Sequence, residues 1–126
     1  MTSIFGPVDT LSNALAFHRE RQNVLAGNLS NLETPGYRPL DLRRTIEPTG
    51  AALETTDPRH LGGSPGGMNT EVFDDGGALA GPDGNAVSLE REQSKIDANR
   101  VRYNTSAELV TRRLALLRYA AGDGVG

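Results

Sequence analysis

The sequence predicts a mainly α-helical protein in which two long helices pack together and enclose an extended middle segment. The positions of glycine and proline support this prediction, because these helix-breaking residues are confined to one part of the chain. Residues 33–86 hold ten glycines and six prolines, whereas residues 9–32 hold one glycine and no proline. Residues 87–121 contain neither residue type. We therefore expect a single domain over residues 1–126, with a helix at each end and an irregular or extended middle.

The first predicted helix covers residues 9–32. Its apolar residues recur at intervals of three or four, which places them on one helix face. Asp9 and Ser12 are the candidate N-terminal caps. The segment Thr34-Pro35-Gly36 marks the end, because proline disfavours the α conformation in the preceding residue and Pro-Gly suits a type II turn. The face consists of Val8, Leu11, Leu15, His18, Gln22, Leu25, Leu29 and Leu32.

The second predicted helix covers residues 87–121 and has the stronger pattern. Its main face alternates steps of four and three residues, which corresponds to about 50 Å of helix. Ser88 is the candidate N-terminal cap, and Gly122 is the candidate residue that follows the helix. The face consists of Leu89, Gln93, Ile96, Arg100, Tyr103, Ala107, Val110, Leu114, Leu117 and Ala121.

The middle segment, residues 33–86, lacks helical periodicity and is crowded with turn-forming pairs. Short extended pieces are predicted near residues 40–46 and 70–73. Alone, this segment buries too little apolar surface to offset the entropy of ordering, so we expect it to be either disordered on its own or ordered only against neighbours. Its net charge is −5, whereas residues 87–121 carry +3. Ordinary solvated faces are the preferred interpretation of these opposite charges, and head-to-tail contacts between copies are the alternative.

Composition and motifs exclude several classes of function. The chain has 126 residues, a net charge of −3 and no cysteine, so it can form neither disulfides nor a thiolate metal site. It contains no stretch near the ~18 apolar residues of a membrane span and no pattern of a cleaved secretory signal. Residues 62–66 match G-x-S-x-G, but Pro65 has no N–H to donate to an oxyanion. His18 and His60 lack partners at a metal-binding spacing. The acidic residues beside glycines lack the spacing of a calcium loop; these are Asp74, Asp75 and Asp83.

We therefore predict no catalytic residue, cofactor or metal, and no small-molecule substrate. Twelve of the thirteen basic residues are arginine, but they do not share a helix face and no aromatic residues alternate with them. Nucleic-acid binding is accordingly a weak alternative. A helical adaptor that binds a partner without polymerising is the stronger alternative to an assembly subunit.

The end of the first predicted helix carries a specific signature. Residues 28–37 read NLSNLETPGY, which resembles the N-terminal signature N-[IL]-[AS]-N-x-x-T-P-G-Y of the bacterial flagellar axial proteins, the rod and hook family. Residues 19–26 and 83–92 resemble the proximal rod branch of that family, as do Arg102-Tyr103. A sister rod protein is the close alternative, since it shares the signature but usually lacks the stretch at 83–92. The matching signature positions are Asn28, Leu29, Ser30, Asn31, Thr34, Pro35, Gly36 and Tyr37.

The resemblance implies a structural, non-enzymatic subunit whose terminal helices form a coiled-coil-like core and stack helically into the rod. The rod links the membrane ring and export apparatus to the distal rod and transmits torque. The implied partners are copies of the chain, other rod proteins, the adaptor between rod and membrane ring, the ring itself and the type III export gate. The implied location is the basal body in the periplasmic space, reached by type III export without a cleaved signal.

The signature is expected to fix the direction in which the chain leaves the first helix. Asn28 and Asn31 are expected to satisfy polar groups at the helix end, where carbonyls lack partners, and Tyr37 to anchor the turn by packing. The assembly interface, within or between copies, is predicted to bring leucines of the first helix against the apolar row of the second. Its members are Leu11, Leu15, Leu25, Leu29, Leu32, Ile96, Tyr103, Val110, Leu114 and Leu117.

Overall fold

The computed structural model describes residues 4–46, 68–75 and 79–122. The described elements are two long helices and a two-stranded sheet, so the predicted fold class is confirmed. Neither described helix combines the length and the apolar content that crossing a bilayer requires. The elements follow in the order α1 (Gly6–Ser30), β1 (Leu40–Ile46), β2 (Met68–Asp74) and α2 (Leu89–Gly122).

Helix α1 begins earlier than the predicted residue 9 and ends before the predicted residue 32. Phe5 occupies the N-cap position without a side-chain hydrogen bond, so the expectation that Asp9 or Ser12 caps the helix is wrong. Pro7 in the first turn accounts for the earlier start, because its fixed φ suits a helix and its missing N–H is not needed there. Asp9 lies inside the first turn, where a carboxylate interacts favourably with the helix dipole.

Helix α2 begins at Leu89 rather than residue 87. The carbonyl of Ser88 accepts a hydrogen bond of 2.9 Å from the Glu92 N–H, which is the backbone arrangement of an N-cap residue. At the other end, Gly122 is the last residue of the helix and not the residue after it. The predicted boundaries at 87 and 121 therefore shift by one or two residues, as is usual where helix ends fray.

Strands β1 and β2 pair antiparallel, with Leu40 opposite Asp74 and Ile46 opposite Met68. They coincide with the extended pieces predicted near residues 40–46 and 70–73. Strand β1 packs against α1, and Leu42 is buried there. Val72, its partner on β2, is half exposed, so β2 forms the outer side of the hairpin.

The two helices pack antiparallel, and the interior of this helix pair is largely polar. Among the described residues, Asn28, Glu92 and Asn99 are as fully buried as Leu25. The row of α2 that faces α1 therefore runs through Glu92 and Asn99. The predicted row through Gln93 and Arg100 is wrong in this half of the helix, because both residues are exposed. The displacement arises because α1 offers hydrogen-bonding side chains to this part of α2 rather than an apolar surface.

Candidate functional site

Asn28 lies at the centre of the place where α1, β1 and α2 meet. Its amide nitrogen donates to the Leu40 carbonyl at 2.7 Å and to Oε2 of Glu92 at 2.8 Å. Its amide oxygen accepts from the Leu40 N–H at 2.9 Å and from the Tyr37 hydroxyl at 3.3 Å. An asparagine side chain has two donor hydrogens and two acceptor positions, so all of them are used here. One buried side chain thus links the end of α1, the start of β1 and the first turn of α2.

The turn that follows α1 is closed by the signature itself. The Tyr37 N–H donates to the Thr34 carbonyl at 3.2 Å, and Gly36 has a φ of 72°, as the third residue of a type II turn requires. Nδ2 of Asn31 donates to the Gly27 carbonyl at 2.9 Å, while its Oδ1 accepts from the Thr34 hydroxyl at 3.0 Å. These contacts satisfy groups at the C-terminal end of α1 that the helix leaves unpaired.

Asn85, in the stretch before α2, completes the same turn from the other side. Its Nδ2 donates to the backbone carbonyls of Asn31 and Leu32, each at 3.0 Å, and of Thr34 at 2.6 Å. Its Oδ1 accepts from the Val87 N–H at 2.8 Å, which directs the chain into α2. A single asparagine therefore caps the end of one helix and positions the start of the other.

Backbone hydrogen bonds hold the two stretches against each other. The Gly36 N–H donates to the Asp83 carbonyl and the Ala86 N–H donates to the Tyr37 carbonyl, both at 3.0 Å. Gly84 has a φ of 76°, and a Cβ there would lie 3.5 Å from the Cα of Gly36. The signature and the stretch at 83–92, which the sequence places at opposite ends of the irregular middle, form one structural unit. We call this unit, with Asn28 and Glu92, the polar junction.

A cluster of charged side chains lies beside the polar junction. Nζ of Lys95 contacts the Asp75 carboxylate, and it lies 3.2 Å from Oε1 of Glu92 and 3.7 Å from Oδ2 of Asp41. Arg21 binds both carboxylate oxygens of Asp41, at 2.8 and 2.9 Å. The cluster contains equal numbers of acidic and basic groups, so its charge is balanced. Its members are Arg21, Asp41, Asp75, Arg91, Glu92 and Lys95.

The charged cluster shifts the pKa values of Arg21 and Asp41. Burial on its own would raise the pKa of Asp41. The hydrogen bonds from Arg21 and from the Leu42 N–H, with the positive charges of Arg21 and Lys95, outweigh it and lower that pKa. The hydrogen bond to Asp41 raises the pKa of Arg21. Both groups are therefore charged at neutral pH.

A second buried polar contact lies further along the helix pair. Nδ2 of Asn99 donates to the His18 carbonyl at 2.8 Å and to Oε1 of Gln22 at 3.0 Å. Its Oδ1 is therefore the acceptor for Nδ1 of His18, 2.9 Å away, so Nδ1 carries the hydrogen in this tautomer. His18 and Gln22, which interrupt the apolar face of α1, are the partners of a buried asparagine on α2.

The predicted interface residues differ widely in how far the chain itself covers them. Leu25 is fully buried against α2. Tyr103 and Leu114 are exposed, at 38% and 46% of their surface. The remaining members are half-buried: Leu11, Leu15, Leu29, Leu32, Ile96, Val110 and Leu117. Except at Leu25, apolar surface of this set remains for a neighbour to cover.

Three residues that join the helices were not among the candidate site residues: Asn85, Glu92 and Asn99. Asn85 and Glu92 lie in the stretch at 83–92 that carries the proximal-rod resemblance, which was a usable signal. Asn99 has no comparable signal in the sequence. Within the described ranges, no group of acidic and histidine side chains is arranged to hold a metal ion. The G-x-S-x-G match at residues 62–66 and His60 lie outside the described residues.

Comparison with known proteins shows similarity to flagellar basal body rod proteins. The family model for flagella basal body rod proteins matches residues 9–38, which cover most of α1 and the whole signature. The flagellar basal body rod protein FlgB of Aquifex aeolicus is 37% identical over 81% of this chain and 82% of its own length. FlgB of Cereibacter sphaeroides is 31% identical over 95% and 97%, respectively. FlgB of Bacillus subtilis is 25% identical over 98% of this chain and 99% of its own.

These similarities extend well beyond the signature that the rod and hook proteins share. The similarities to the Cereibacter sphaeroides and Bacillus subtilis proteins cover 95% and 98% of the chain, so they extend over the stretch before α2. A rod structural protein of the basal body is also what the predicted helix pair and signature indicate. The chain belongs to the FlgB family of flagellar basal body rod proteins.

Proposed function

We propose that this structural protein of the flagellar basal body rod forms part of the proximal rod, where copies of the chain stack helically with one another and with other rod proteins. The observation that carries the proposal is the distribution of apolar surface on the helix pair. Among the described residues, Leu25, Leu42 and Ala86 are the buried hydrophobic residues. Many larger apolar side chains remain exposed on α2, which include Val101 at 64% and Leu116 at 56%.

A helix with apolar residues on several faces is typical of a chain that neighbours cover. An isolated pair of these helices would leave Leu109, Leu114 and Tyr119 in water. In a helical array each copy meets others through different surfaces, so these exposed rows are buried by assembly. The non-polymerising adaptor would need a single partner large enough to cover all of these faces.

The polar junction supports a mechanical role for the subunit. Four buried or part-buried hydrogen bonds through Asn28 and three part-buried ones through Asn85 connect α1, β1 and α2. Rotation of one element against another would break several of these bonds at once, and each broken buried bond costs about 1–3 kcal/mol. We therefore propose that residues 1–126 act as one rod-core domain that transmits torque between neighbours.

The proposal also covers where this chain lies in the cell and which partners it contacts. We propose that the rod segment formed by this chain lies in the periplasmic space and contacts the adaptor that joins the rod to the membrane ring, with the ring and the type III export gate below. Export without a cleaved signal requires a chain that unfolds easily. The small apolar core within one copy is in keeping with that requirement, because little buried surface must be exposed.

Electron cryo-tomography of motors in a strain deleted for this gene tests the proposal. We expect membrane rings with no rod above them, and restoration of the rod when the gene is supplied again. Intact rods and hooks in the deletion strain would contradict the proposal and favour the adaptor. Localisation of a tagged copy within restored motors separates this chain from its sister rod protein, since the tag should lie next to the membrane ring.

A further inference from the structure

A groove at the opposite end of the helix pair from the polar junction contains an arginine that forms no ion pair with the described residues. The groove has a volume of about 340 Å³ and lies between the start of α1 and the C-terminal half of α2. Its walls are mostly apolar, with two arginines among them. The lining residues are Pro7, Leu11, Leu109, Arg112, Arg113 and Leu116.

Arg113 is the cation in question. Its Nε is buried and has no hydrogen-bond partner among the described residues. The neighbouring Arg112 is already paired with Glu108, one turn earlier. No acidic residue follows Glu108 within α2, so that helix offers Arg113 no carboxylate. Since a buried polar group without a partner is costly, a carboxylate that enters the groove would gain a strong, charge-assisted hydrogen bond.

The first half of α2 carries a surface of complementary character. Leu89, Gln93, Asp97 and Val101 are spaced by four residues, and all of them are exposed. Such an i, i+4 row forms a ridge of the kind that packs into grooves on other helices. Asp97 forms no ion pair with the described residues, and its neighbour one turn on, Val101, is 64% exposed. The ridge therefore offers an unpaired carboxylate beside apolar side chains.

We propose that the groove of one copy receives the Leu89–Val101 ridge of a second copy, and that Asp97 pairs with Arg113 across this contact. The inference rests on the proposed function, because it names the contact by which copies stack. Groove and ridge lie on opposite halves of the same helix, so each copy presents both. A contact between unlike surfaces repeats from copy to copy and produces an open stack instead of a closed pair.

Charge reversal tests the pairing. Asp97→Arg and Arg113→Glu each place like charges together, so each should lower the number of hook-bearing basal bodies per cell at least about tenfold. The double variant restores opposite charges and should recover most of that loss. Arg102→Glu is the matched control, since Arg102 is exposed on α2 outside groove and ridge and undergoes the same change of charge. Single variants that behave like this control, or a double variant no better than the singles, would overturn the proposal.

Disulfide cross-linking provides an independent measurement, because the chain contains no cysteine. In Val101→Cys/Leu116→Cys, mild oxidation of isolated basal bodies should yield a ladder of dimers, trimers and larger multimers. The single-cysteine variants should remain monomeric. Bands that stop at dimers would indicate a closed pair and overturn the open stack. Monomers alone, in a strain that swims, would also overturn the proposed contact.

The rod function and the groove-and-ridge contact are contradicted by different results. If the deletion strain keeps its rods, the proposed function is wrong. If the deletion strain lacks rods while both charge-reversal variants build them normally, the chain is a rod subunit and only the groove-and-ridge contact is wrong.

Discussion

Asn28 at the end of α1 donates a hydrogen bond of 2.8 Å to the carboxylate of Glu92 in the first turn of α2, and both side chains are buried from solvent. The contact joins the first residue of the rod-family signature to the last residue of the stretch at 83–92. Glu92 also contacts Lys95, so the hydrogen bond connects the signature to the charged cluster. The two segments that identify the family are thus one physical unit.

The first prediction concerns the removal of this contact. Asn28→Leu removes the hydrogen-bond partner of Oε2 of Glu92 and of both backbone groups of Leu40. Because a buried charge that loses a partner is strongly unfavourable, we expect the free energy of unfolding to fall by about 3–5 kcal/mol. Urea unfolding followed by circular dichroism measures this change.

Asn23→Leu is the matched control for Asn28→Leu. Asn23 is exposed on the same helix, and its replacement should change stability by no more than about 0.5 kcal/mol. Equal effects of the two substitutions would show that the buried contact does not stabilise the fold.

The second prediction concerns the stability of the protein at low pH. The folded-state pKa of Asp41 lies below its unfolded value of 3.8. The contribution of ionised Asp41 to the free energy of unfolding is therefore complete at pH values above 3.8. It is lost as the pH falls from there through the lower folded-state pKa. Asp41→Asn should therefore flatten the acid side of the stability profile and, by leaving Arg21 unpaired, cost about 3 kcal/mol at neutral pH.

Thermal unfolding between pH 2 and pH 7 checks this expectation about Asp41. Glu33→Gln is the control, because Glu33 is exposed and should leave the profile unchanged. If the stability of Asp41→Asn falls with decreasing pH as steeply as that of the parent chain, other carboxylates are responsible for the acid sensitivity.

The helices and the turn could be predicted from sequence because their signals are local. The three-to-four spacing of apolar residues and Thr34-Pro35-Gly36 at the end indicate α1, although its start was predicted too late. The 4,3 periodicity identifies α2 whatever its partner is. The antiparallel pairing of β1 with β2 could not be predicted, because nothing in either strand specifies its partner.

Hydrophobic periodicity could not predict the polar interior of the helix pair, for a different reason. A buried asparagine and a solvated one look alike in a sequence, and only the partner distinguishes them. Asn99 is buried because His18 and Gln22 meet it, and these lie about eighty residues earlier. The hydrophobic pattern therefore assigned Arg100, its neighbour, to the main periodic face of α2. The same substitution of polar for apolar partners explains why Glu92, and not Gln93, faces α1.

The third prediction concerns the role of Asn85 as a cap. Asn85→Ala removes the donor to three backbone carbonyls and should destabilise the protein by about 1–3 kcal/mol. The effect should be local, so amide exchange should accelerate at Gly36 and Ala86, whose N–H groups bridge the two stretches. Exchange in the middle of α2 is the internal reference and should change little. A uniform acceleration throughout would indicate global destabilisation without a specific role at the turn.

The fourth prediction separates assembly from folding. Leu114 is 46% exposed in the single chain, so Leu114→Asp should alter monomer stability by less than about 1 kcal/mol. In the rod, a neighbour that covers this row would bury an unpaired carboxylate, and assembly should fail. Leu25→Ala should instead lower the stability of the monomer. Leu25 is fully buried, so its truncation costs the monomer about 2–5 kcal/mol. Circular dichroism of the monomers and tomography of the motors measure the two effects. A Leu114→Asp strain with normal rods and swimming would exclude this row from the contacts between subunits.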